Sequence, residues 1–383
     1  MSNVANMNKV LILTDGKAGH ENQSRAFARA LGCEFDLVEI HFKSAFHKTL
    51  SYLLDHLGIH TLSLFPPFDT RHPAPDIQNT NYAAVLGTGS GTFYAAKSLA
   101  RKLGVPCGVV LYPRGYRLAG FNCILAPSFD RPDSVPNVIP IPANLVANDD
   151  AFYEAGVKAF RERYTPSDRP AVAVIVGGPN KCSTLSADWM RSQLEKIFAK
   201  YKPTNPTPGT TNHDPRTANH EPRTANHEPR TTNHDPQTTN HEPRTTNHEI
   251  WVTTSRRTPP DVEAVVDSFP FDYKLLYSKD HFNPIPAFVS LARVLYVTAE
   301  STGMLSEACT FGTAEVHALD NLKSGPHKFR RFIDDLTSAG HLDGTRKIDL
   351  SEQFAKAKEL LGIKELSDRA SERTRNERGG ENR

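Results

Sequence analysis

Short apolar runs alternate along the chain with segments whose apolar residues recur every three or four positions. The apolar runs predict strands, which we place at Lys9–Thr14, Asp36–Ile40, Tyr82–Leu86, Cys107–Leu111, Asn122–Leu125, Ala171–Val176, Ile250–Thr254, Tyr273–Tyr277, Arg293–Thr298 and Ala314–Ala318. The helical spacing is clearest in two sets, Phe93-Ala96-Ala100-Leu103 and Met190-Leu194-Ile197-Tyr201. Strands that alternate with helices imply parallel sheets with helices on both faces.

Two such sets predict two Rossmann-like, doubly wound α/β domains that face a cleft. We place the first domain, the acceptor side, at 1–147 and the second, the donor side, at 148–365. The charged, glycine-rich segment 366–383 is predicted to be a disordered tail. In such folds ligands bind at the carboxyl ends of the strands.

The segment 204–249 differs from everything around it. It repeats units such as "PRTANHE" and "PRTTNHD" every seven residues, and each unit carries a proline. It can neither form a coiled coil nor bury a core, so we predict a disordered insertion. Six of the 16 histidines lie in it. Weak metal binding by these histidines is the less favoured interpretation, because nothing would hold the imidazoles together.

Composition narrows the class of protein. The net charge of +2 gives no general attraction to nucleic acid. Five scattered cysteines favour a reducing compartment over a disulfide framework. The start of the chain lacks the apolar core of a secretion signal, and no apolar run is long enough to span a bilayer. We therefore expect a cytoplasmic protein, with attachment to the inner face of a membrane left open.

Small and charged residues follow five of the predicted strands. The stretches are "DGKAGHENQ", "GTGSGT", "GGPNKCS", "SRRTPP" and "AESTGMLSEA". Glycines let the backbone approach an anion, and the first amides of the following helix can donate to it. These loops predict a phosphate-bearing ligand. "GTGSGT" is a poor dinucleotide fingerprint, because the next strand ends in Leu111-Tyr112-Pro113-Arg114 without an acidic residue, which argues against a nicotinamide dehydrogenase.

The second domain supplies the candidate nucleotide-binding residues. These are Gly177, Gly178, Asn180, Ser255, Arg256, Arg257, Ser301, Thr302, Met304 and Glu307. Each group has a simpler interpretation: the glycine pair as a turn, the arginines as a solvated pair, and Glu307 as support for a helix start. We favour at least one arginine on a diphosphate, and Glu307 on a ribose diol. No pair of aspartates has metal-binding spacing, so we expect no metal and no cofactor beyond the nucleotide-sugar substrate.

The first loop supplies the candidate catalytic residues. Neutral histidine suits proton transfer from a sugar hydroxyl, so we assign the base to His20, with Asp15 orienting it or acting itself. The candidate acceptor-side residues are Lys17, Gly19, Asn22, Gly89 and Ser90.

Four motifs carry a family resemblance. "DGKAGHENQ", "VIVGGPN", "TTSRRTP" and "VTAESTGMLSEA" resemble the bacterial branch of the mitochondrial fission "elongated mitochondria" family, whose members are also labelled predicted nucleoside-diphosphate-sugar epimerases or glycosyltransferases. The resemblance implies a fold like the B-type glycosyltransferases. More distantly, the first and last motifs are similar to loops of a lipid-linked N-acetylglucosamine transferase. That similarity implies His20 as the base and Glu307 at the donor ribose; Lys17-Ala18 depart from its pattern.

Three functions follow as hypotheses. The leading one is glycosyl transfer from a nucleoside-diphosphate sugar to an unidentified acceptor, lipid-linked or in the envelope. The second is epimerisation of the nucleotide sugar, and the third is a non-enzymatic, membrane-associated interaction protein.

One amphipathic stretch bears on the membrane. Phe46, Leu50, Leu53 and Leu57 form one face of a predicted helix, flanked by the basic residues Lys43, His47 and Lys48. The favoured expectation is that this face packs on its own sheet. The alternative is that it rests on an anionic bilayer together with Phe65 and Phe68.

Overall fold

The computed structural model describes residues 8–66, 80–202 and 248–364. The first sheet contains β1 (Lys9–Thr14), β2 (Glu34–Glu39), β3 (Ala84–Thr88), β4 (Cys107–Val110), β5 (Cys123–Pro127) and β6 (Val138–Ile141). Its helices are α1 (Ala18–Ala30), α2 (Ala45–His56) and α3 (Phe93–Leu103). The strands are parallel and run in the order β2-β1-β3-β4-β5-β6. The order reverses between β1 and β3, where doubly wound sheets open a crevice.

The second sheet repeats this plan. It contains β7 (Ala171–Ile175), β8 (Glu249–Thr253), β9 (Tyr273–Leu275), β10 (Val294–Thr298) and β11 (Glu315–Leu319), in the parallel order β11-β10-β7-β8-β9. The remaining helices are α4 (Asp150–Arg161), α5 (Ala187–Tyr201), α6 (Pro260–Ser268), α7 (Ile285–Leu291), α8 (Thr302–Thr310), α9 (Lys328–Ser338) and α10 (Ser351–Leu360). Here the order reverses between β7 and β10.

The sequence explains these elements locally. The central strands β1, "KVLILT", and β7, "AVAVI", each contain an unbroken apolar run because helices cover both faces of each sheet. Ser186 caps α5 by accepting a hydrogen bond from the Trp189 amide. Gly104 ends α3 in the left-handed conformation, with φ at 69°, which glycine adopts without a steric penalty.

The predicted fold class of two doubly wound α/β domains is confirmed. All ten predicted strands are present in the described part of the chain, with their ends shifted by a few residues. The strand β6 was missed because it is short and contains Pro140, which lacks an amide donor. Proline is tolerated there because β6 lies at the edge of its sheet.

The predicted boundary of the second domain does not hold for the last helix. Ala357, Leu361 and Ile363 pack in one cluster with Val10 and Ile12 of β1, so α10 crosses back onto the first sheet. The sequence range 148–365 therefore belongs to the second domain only up to the segment before α10. The reason is that α10 needs an apolar surface, and one face of the first sheet provides it.

The predicted insertion begins and ends at the side of the second sheet away from the candidate loops. Its stretch 203–247, like the predicted tail, lies outside the described residues. The predicted end at 249 is corrected, because Glu249 is buried as the first residue of β8. His248 donates its backbone N–H to the Tyr201 carbonyl at 3.3 Å, so both ends of the insertion meet at the amino end of β8.

The expected packing of the α2 apolar face is wrong for most of its residues. Phe46, Leu53 and Leu57 are exposed, whereas Leu50 packs against the first core. The alternative membrane role of Phe65 is also wrong, because Phe65 is buried with its ring centroid 4.5 Å from that of Phe42. Phe68 lies outside the described residues. No helix in the described ranges is long and apolar enough to cross a bilayer.

Candidate functional site

The loop after β1 holds an aspartate–histidine pair. His20 Nδ1 lies 2.9 Å from Asp15 Oδ1, and the Asp15 side chain is 7% exposed against 24% for His20. The glycines after β3 make room for the pair. A Cβ on Gly89 would lie 2.4 Å from His20 Cε1, and one on Gly91 would lie 2.7 Å from Asp15 Oδ2. The first switch point therefore holds both side chains against one glycine loop.

The hydrogen bonds of this pair define which imidazole nitrogen faces the carboxylate. Burial alone would raise the Asp15 pKa, but hydrogen bonds from Lys17 and His20 outweigh it and lower the pKa. The ionised carboxylate can only accept, so His20 Nδ1 carries the proton. In the neutral imidazole Nε2 is then the acceptor. No hydrogen bond among the described residues uses that Nε2. The pair thus has the arrangement of a general base with its orienting group.

The acceptor-side candidates divide into two groups. Lys17 Nζ lies 2.6 Å from Asp15 Oδ2, and Ser90 Oγ accepts a hydrogen bond from Lys48 Nζ at 3.0 Å, so both belong to the surroundings of the pair. Gly19 and Asn22 lie on the exposed side of α1. Contact of these residues with an acceptor stays a prediction.

The loops after β7, β8 and β10 converge at the second switch point. A Cβ on Gly178 would lie 2.3 Å from the Arg257 carbonyl oxygen, and one on Gly177 would lie 2.1 Å from Glu300 Oε1. Thr258 Oγ1 also donates to the Gly177 carbonyl at 2.6 Å. The structure therefore brings together three of the loops that the sequence analysis singled out.

The glycine amides are already used inside the protein. Gly177 N donates to Thr298 Oγ1 at 2.8 Å, and the Gly178 backbone hydrogen-bonds the Glu300 carboxylate. This differs from the expectation that these amides would hold a diphosphate. Both glycines are required for close packing, since a side chain on either would collide with its neighbours. The turn interpretation of this glycine pair thus accounts for what the structure contains.

Glu300 is a residue that the sequence analysis missed. It is 3% exposed, and its Oε2 accepts a hydrogen bond from Asn321 Nδ2 at 2.7 Å while its Oε1 accepts one from Thr298 Oγ1 at 3.0 Å. Burial raises the pKa of its carboxyl against the opposing effect of these hydrogen bonds. Glu300 holds the glycine loop in place. The signal was available, because an acidic residue directly follows an apolar strand in "VTAES".

Positive potential is left at the second switch point by two groups. Arg256 and Arg257 are exposed, and neither guanidinium has a hydrogen bond or ion pair within the described ranges. The helix α8 starts after Ser301 with no side-chain cap and no acidic residue in its first turn. An anion at this edge would meet both the guanidinium groups and the positive end of the helix dipole.

The other donor-side candidates shape their own loops. Asn180 Oδ1 accepts from the Cys182 amide at 2.8 Å, and Ser255 Oγ accepts from the Arg257 amide at 3.3 Å. Met304 is partly buried against the core of the second domain. Their contact with a nucleotide stays a prediction.

Glu307 and Thr302 contact the segment that joins the two domains. Glu307 Oε1 accepts hydrogen bonds from Tyr153 Oη at 3.0 Å and from Asn148 Nδ2 at 3.2 Å. Thr302 Oγ1 accepts one from Asn144 Nδ2 at 3.3 Å. Burial raises the pKa of the Glu307 carboxyl. The carboxylate therefore ties α8 to the linker, and its role toward a ribose stays a prediction.

These features define a two-domain, doubly wound α/β protein with a polar site at each switch point. In the described part of the chain, no cluster of three histidine, cysteine or acidic side chains could hold a metal ion. The family model described as Mitochondrial fission ELM1 matches residues 18–207 and 224–361. The chain therefore belongs to the mitochondrial fission ELM1 family.

Known proteins outside the family are only distantly similar. No curated protein sequence matches the chain. Among solved structures, the UDP-GlcNAc 2-epimerase from Neisseria meningitidis bound to UDP-GlcNAc has 13% identity and a TM-score of 0.44, with 92% of this chain and 98% of that chain covered. A UDP-glucosyltransferase from Polygonum tinctorium has 11% identity and a TM-score of 0.42, with 94% of this chain and 90% of that chain covered. The E. coli ADP-heptose lps heptosyltransferase II has 9% identity and a TM-score of 0.37, with 86% of this chain and 98% of that chain covered.

Proposed function

We propose that the protein binds a nucleoside-diphosphate sugar and transfers its glycosyl group to an acceptor hydroxyl. The observation that carries this proposal is the Asp15–His20 pair, with Nδ1 and Oδ1 2.9 Å apart at the first switch point. Its free Nε2 suits removal of a proton from a hydroxyl near neutral pH. The acceptor oxygen then bonds to the anomeric carbon as the bond from that carbon to the diphosphate breaks.

The leaving diphosphate carries negative charge that must be stabilised. Arg256, Arg257 and the first amides of α8 are the groups suited to this at the second switch point, in place of the occupied amides of Gly177 and Gly178. Fixed positive groups of this kind stabilise developing charge without reorganising. Glu300 contributes by positioning the glycine loop against Arg257.

The first test is a calorimetric titration with nucleoside diphosphates and their sugar conjugates. We expect binding that weakens at least about tenfold in Arg256→Ala/Arg257→Ala, because each charge-assisted hydrogen bond is worth about 1.5–3 kcal/mol. Arg293→Ala is the matched control, since Arg293 is exposed directly before β10, at the amino end of the second sheet. Unchanged affinity in the double variant would remove the donor from this edge.

The second test is the effect of His20→Ala on turnover. Loss of a general base is expected to lower the rate by about 10²–10⁴-fold while nucleotide affinity stays the same. Wild-type turnover in His20→Ala would contradict the assignment of the base.

Incubation with a nucleotide sugar alone separates transfer from epimerisation. An isomerised sugar formed without acceptor would favour the epimerase, which keeps the donor site and changes the chemistry. A protein that binds no nucleotide at all would favour the non-enzymatic alternative. The acceptor, lipid-linked or in the envelope, belongs to this proposal, and a peripheral membrane contact is compatible with it.

A further inference from the structure

The outward side of α2 exposes an unusual amount of apolar surface. Phe46 is 70% exposed, Leu53 57%, Leu57 63% and Ile59 48%. We call these four residues the α2 outer face. Within the described ranges, the other exposed large apolar side chains are Val135 at 37% and Phe152 at 40%. A cluster of this kind marks a surface that contacts another apolar phase.

The inward side of α2 is fixed, so the helix cannot turn its apolar side to the core. Ser51 Oγ lies 2.8 Å from Tyr116 Oη, and the Tyr52 ring stacks on Tyr116 with centroids 4.3 Å apart. Asp55 and Lys97 form a buried ion pair at 2.6 Å. These contacts hold the α2 outer face in solvent as a built feature of the fold.

The charge around the α2 outer face is positive. From residue 40 to residue 63 the only acidic residue is Asp55, which is buried. The neighbouring segment 111–121 has two arginines and no acidic residue. Lys43, Arg101 and Arg117 are exposed around this region. A second copy of the chain on the same face would bring like charges together, whereas an anionic bilayer offers both apolar and negative surface.

The loop after β3 connects α2 to the Asp15–His20 pair. On the inward side, Lys48 Nζ donates to Ser90 Oγ at 3.0 Å. The preceding residue, Gly89, lies against the His20 ring. The helix that carries the α2 outer face is therefore joined, through the loop of Gly89 and Ser90, to the surroundings of the candidate base.

We propose that the α2 outer face docks on an anionic lipid bilayer, with Lys43, Arg101 and Arg117 against the headgroups. The docked protein holds the loop of Asp15 and His20 at the membrane surface, where a lipid-linked acceptor would be presented. The identity of that acceptor rests on the proposed function, whereas the docking itself does not.

The test is flotation of the full chain with lipid vesicles. The vesicles contain phosphatidylcholine either alone or mixed with phosphatidylglycerol. We expect binding only to the anionic vesicles, and less of it at high salt. Leu53→Ser/Leu57→Ser should weaken that binding by about a hundredfold, since each lost apolar side chain costs on the order of 1.4 kcal/mol, a factor of ten. Arg101→Glu should weaken it too.

Two exposed residues of the second domain provide matched controls. Phe152→Ser removes an exposed aromatic residue on α4, and Arg191→Glu reverses an exposed charge on α5. Both variants should bind anionic vesicles like the wild type. Thermal unfolding should not change in Leu53→Ser/Leu57→Ser, because both side chains are already in solvent.

Three results would overturn the docking proposal. The first is that the full chain does not bind anionic vesicles. The second is that Leu53→Ser/Leu57→Ser binds them as well as the wild type does. The third is that the wild type forms a dimer that this variant abolishes, and does not bind vesicles. Nucleotide affinity is measured on the same samples. Vesicle binding without nucleotide affinity would contradict the proposed function and support the docking. Nucleotide affinity without vesicle binding would support the proposed function and contradict the docking.

Discussion

At the scale of single residues, Glu300 shows how a buried charge organises the second switch point. Its carboxylate is nearly inaccessible, yet it accepts hydrogen bonds from Thr298, Asn321 and the Gly178 backbone. Asn321 Oδ1 is buried without a hydrogen-bond partner among the described residues. A protonated Glu300 could donate to that oxygen after an amide flip, which fits the raised pKa of its carboxyl.

We predict a pH-dependent gain in relative stability for Glu300→Gln and a loss of stability for Glu300→Ala. Since the folded pKa exceeds the unfolded value of 4.5, the contribution of this carboxyl to stability is greatest below pH 4.5 and is lost as the pH rises through the folded pKa. Glu300→Gln lacks this loss, so its stability relative to wild type should improve between about pH 4.5 and about pH 8. Glu300→Ala should cost about 1–3 kcal/mol or more, because buried donors lose their acceptor.

Urea unfolding of wild type and both variants at the two pH values checks this. A Glu300→Gln variant that becomes relatively less stable toward about pH 8 would show that the carboxylate is favoured in the folded state.

At the scale of elements, the Asp55–Lys97 pair fixes α2 against α3. The two side chains are 0% and 2% exposed. Lys97 Nζ also donates to the Arg117 carbonyl, and the Arg117 amide donates to Asp55 Oδ2, so the pair ties in the neighbouring loop. Burial lowers the Lys97 pKa, and Asp55 partly restores it.

Removing one partner of this pair should be costly. Asp55→Ala leaves a buried ammonium unpaired, and we expect a loss of about 3–5 kcal/mol in the free energy of unfolding. The folded Lys97 pKa would fall further, so the native state would bind fewer protons than the unfolded chain. The stability of the variant should therefore recover as the pH rises toward the unfolded lysine value.

The measurement is denaturant unfolding across pH, with Lys9→Ala as control. Lys9 forms a half-exposed pair with Asp36, and such surface pairs contribute about 0–1 kcal/mol. A loss in Asp55→Ala no larger than in the control would mean that the buried pair does not fix α2.

The sequence predicts elements well where local composition decides them. β1 and β7 each contain an unbroken apolar run because both faces of each sheet are covered, and glycines mark both switch points. The outward face of α2 could not be predicted, since periodicity shows that a face is apolar but not that the core lacks room for it. The return of α10 to the first sheet could not be predicted either, because the surface on which it packs is assembled from strands far away in sequence.

The candidate site was predictable only in part, for a similar reason. Asp15 and His20 lie close together in sequence, in the loop after β1 and the first turn of α1, so their pairing could be predicted. The acceptors of the Gly177 and Gly178 amides are Thr298 and Glu300, more than a hundred residues away in sequence. A glycine pair alone does not reveal whether a ligand or a distant side chain occupies its donors.

At the scale of the whole molecule, the linker and the helix α10 both connect the two domains. The linker contacts α8 through Asn144. Its backbone N–H donates to Ser306 Oγ at 3.1 Å, and its side-chain Nδ2 donates to Thr302 Oγ1. The helix α10 then returns to the first sheet, and Asn8 Nδ2 donates to the Lys364 carbonyl at 3.1 Å. Neither connection involves the ends of the insertion.

The insertion can therefore be removed as a test of this organisation. Tyr201 and His248 already touch, with ring centroids 5.0 Å apart, so a short glycine-serine linker can replace 203–247. Shortening the loop about eightfold, or three halvings at about 0.6 kcal/mol each, should stabilise the protein by about 2 kcal/mol. Nucleotide affinity should not change, because the strand β8 separates the insertion from Ser255 by about 16 Å.

Urea unfolding and nucleotide titration of the deletion variant check this expectation. A second variant carries a glycine-serine segment of the original length and should match the wild type in stability, which separates loop length from loop sequence. If the deletion variant folds but loses nucleotide affinity, while the equal-length variant keeps it, loop length is transmitted along β8 to the Arg256–Arg257 loop. If both variants lose it, the repeat sequence itself contributes to binding, and the two ends of the second sheet are not independent.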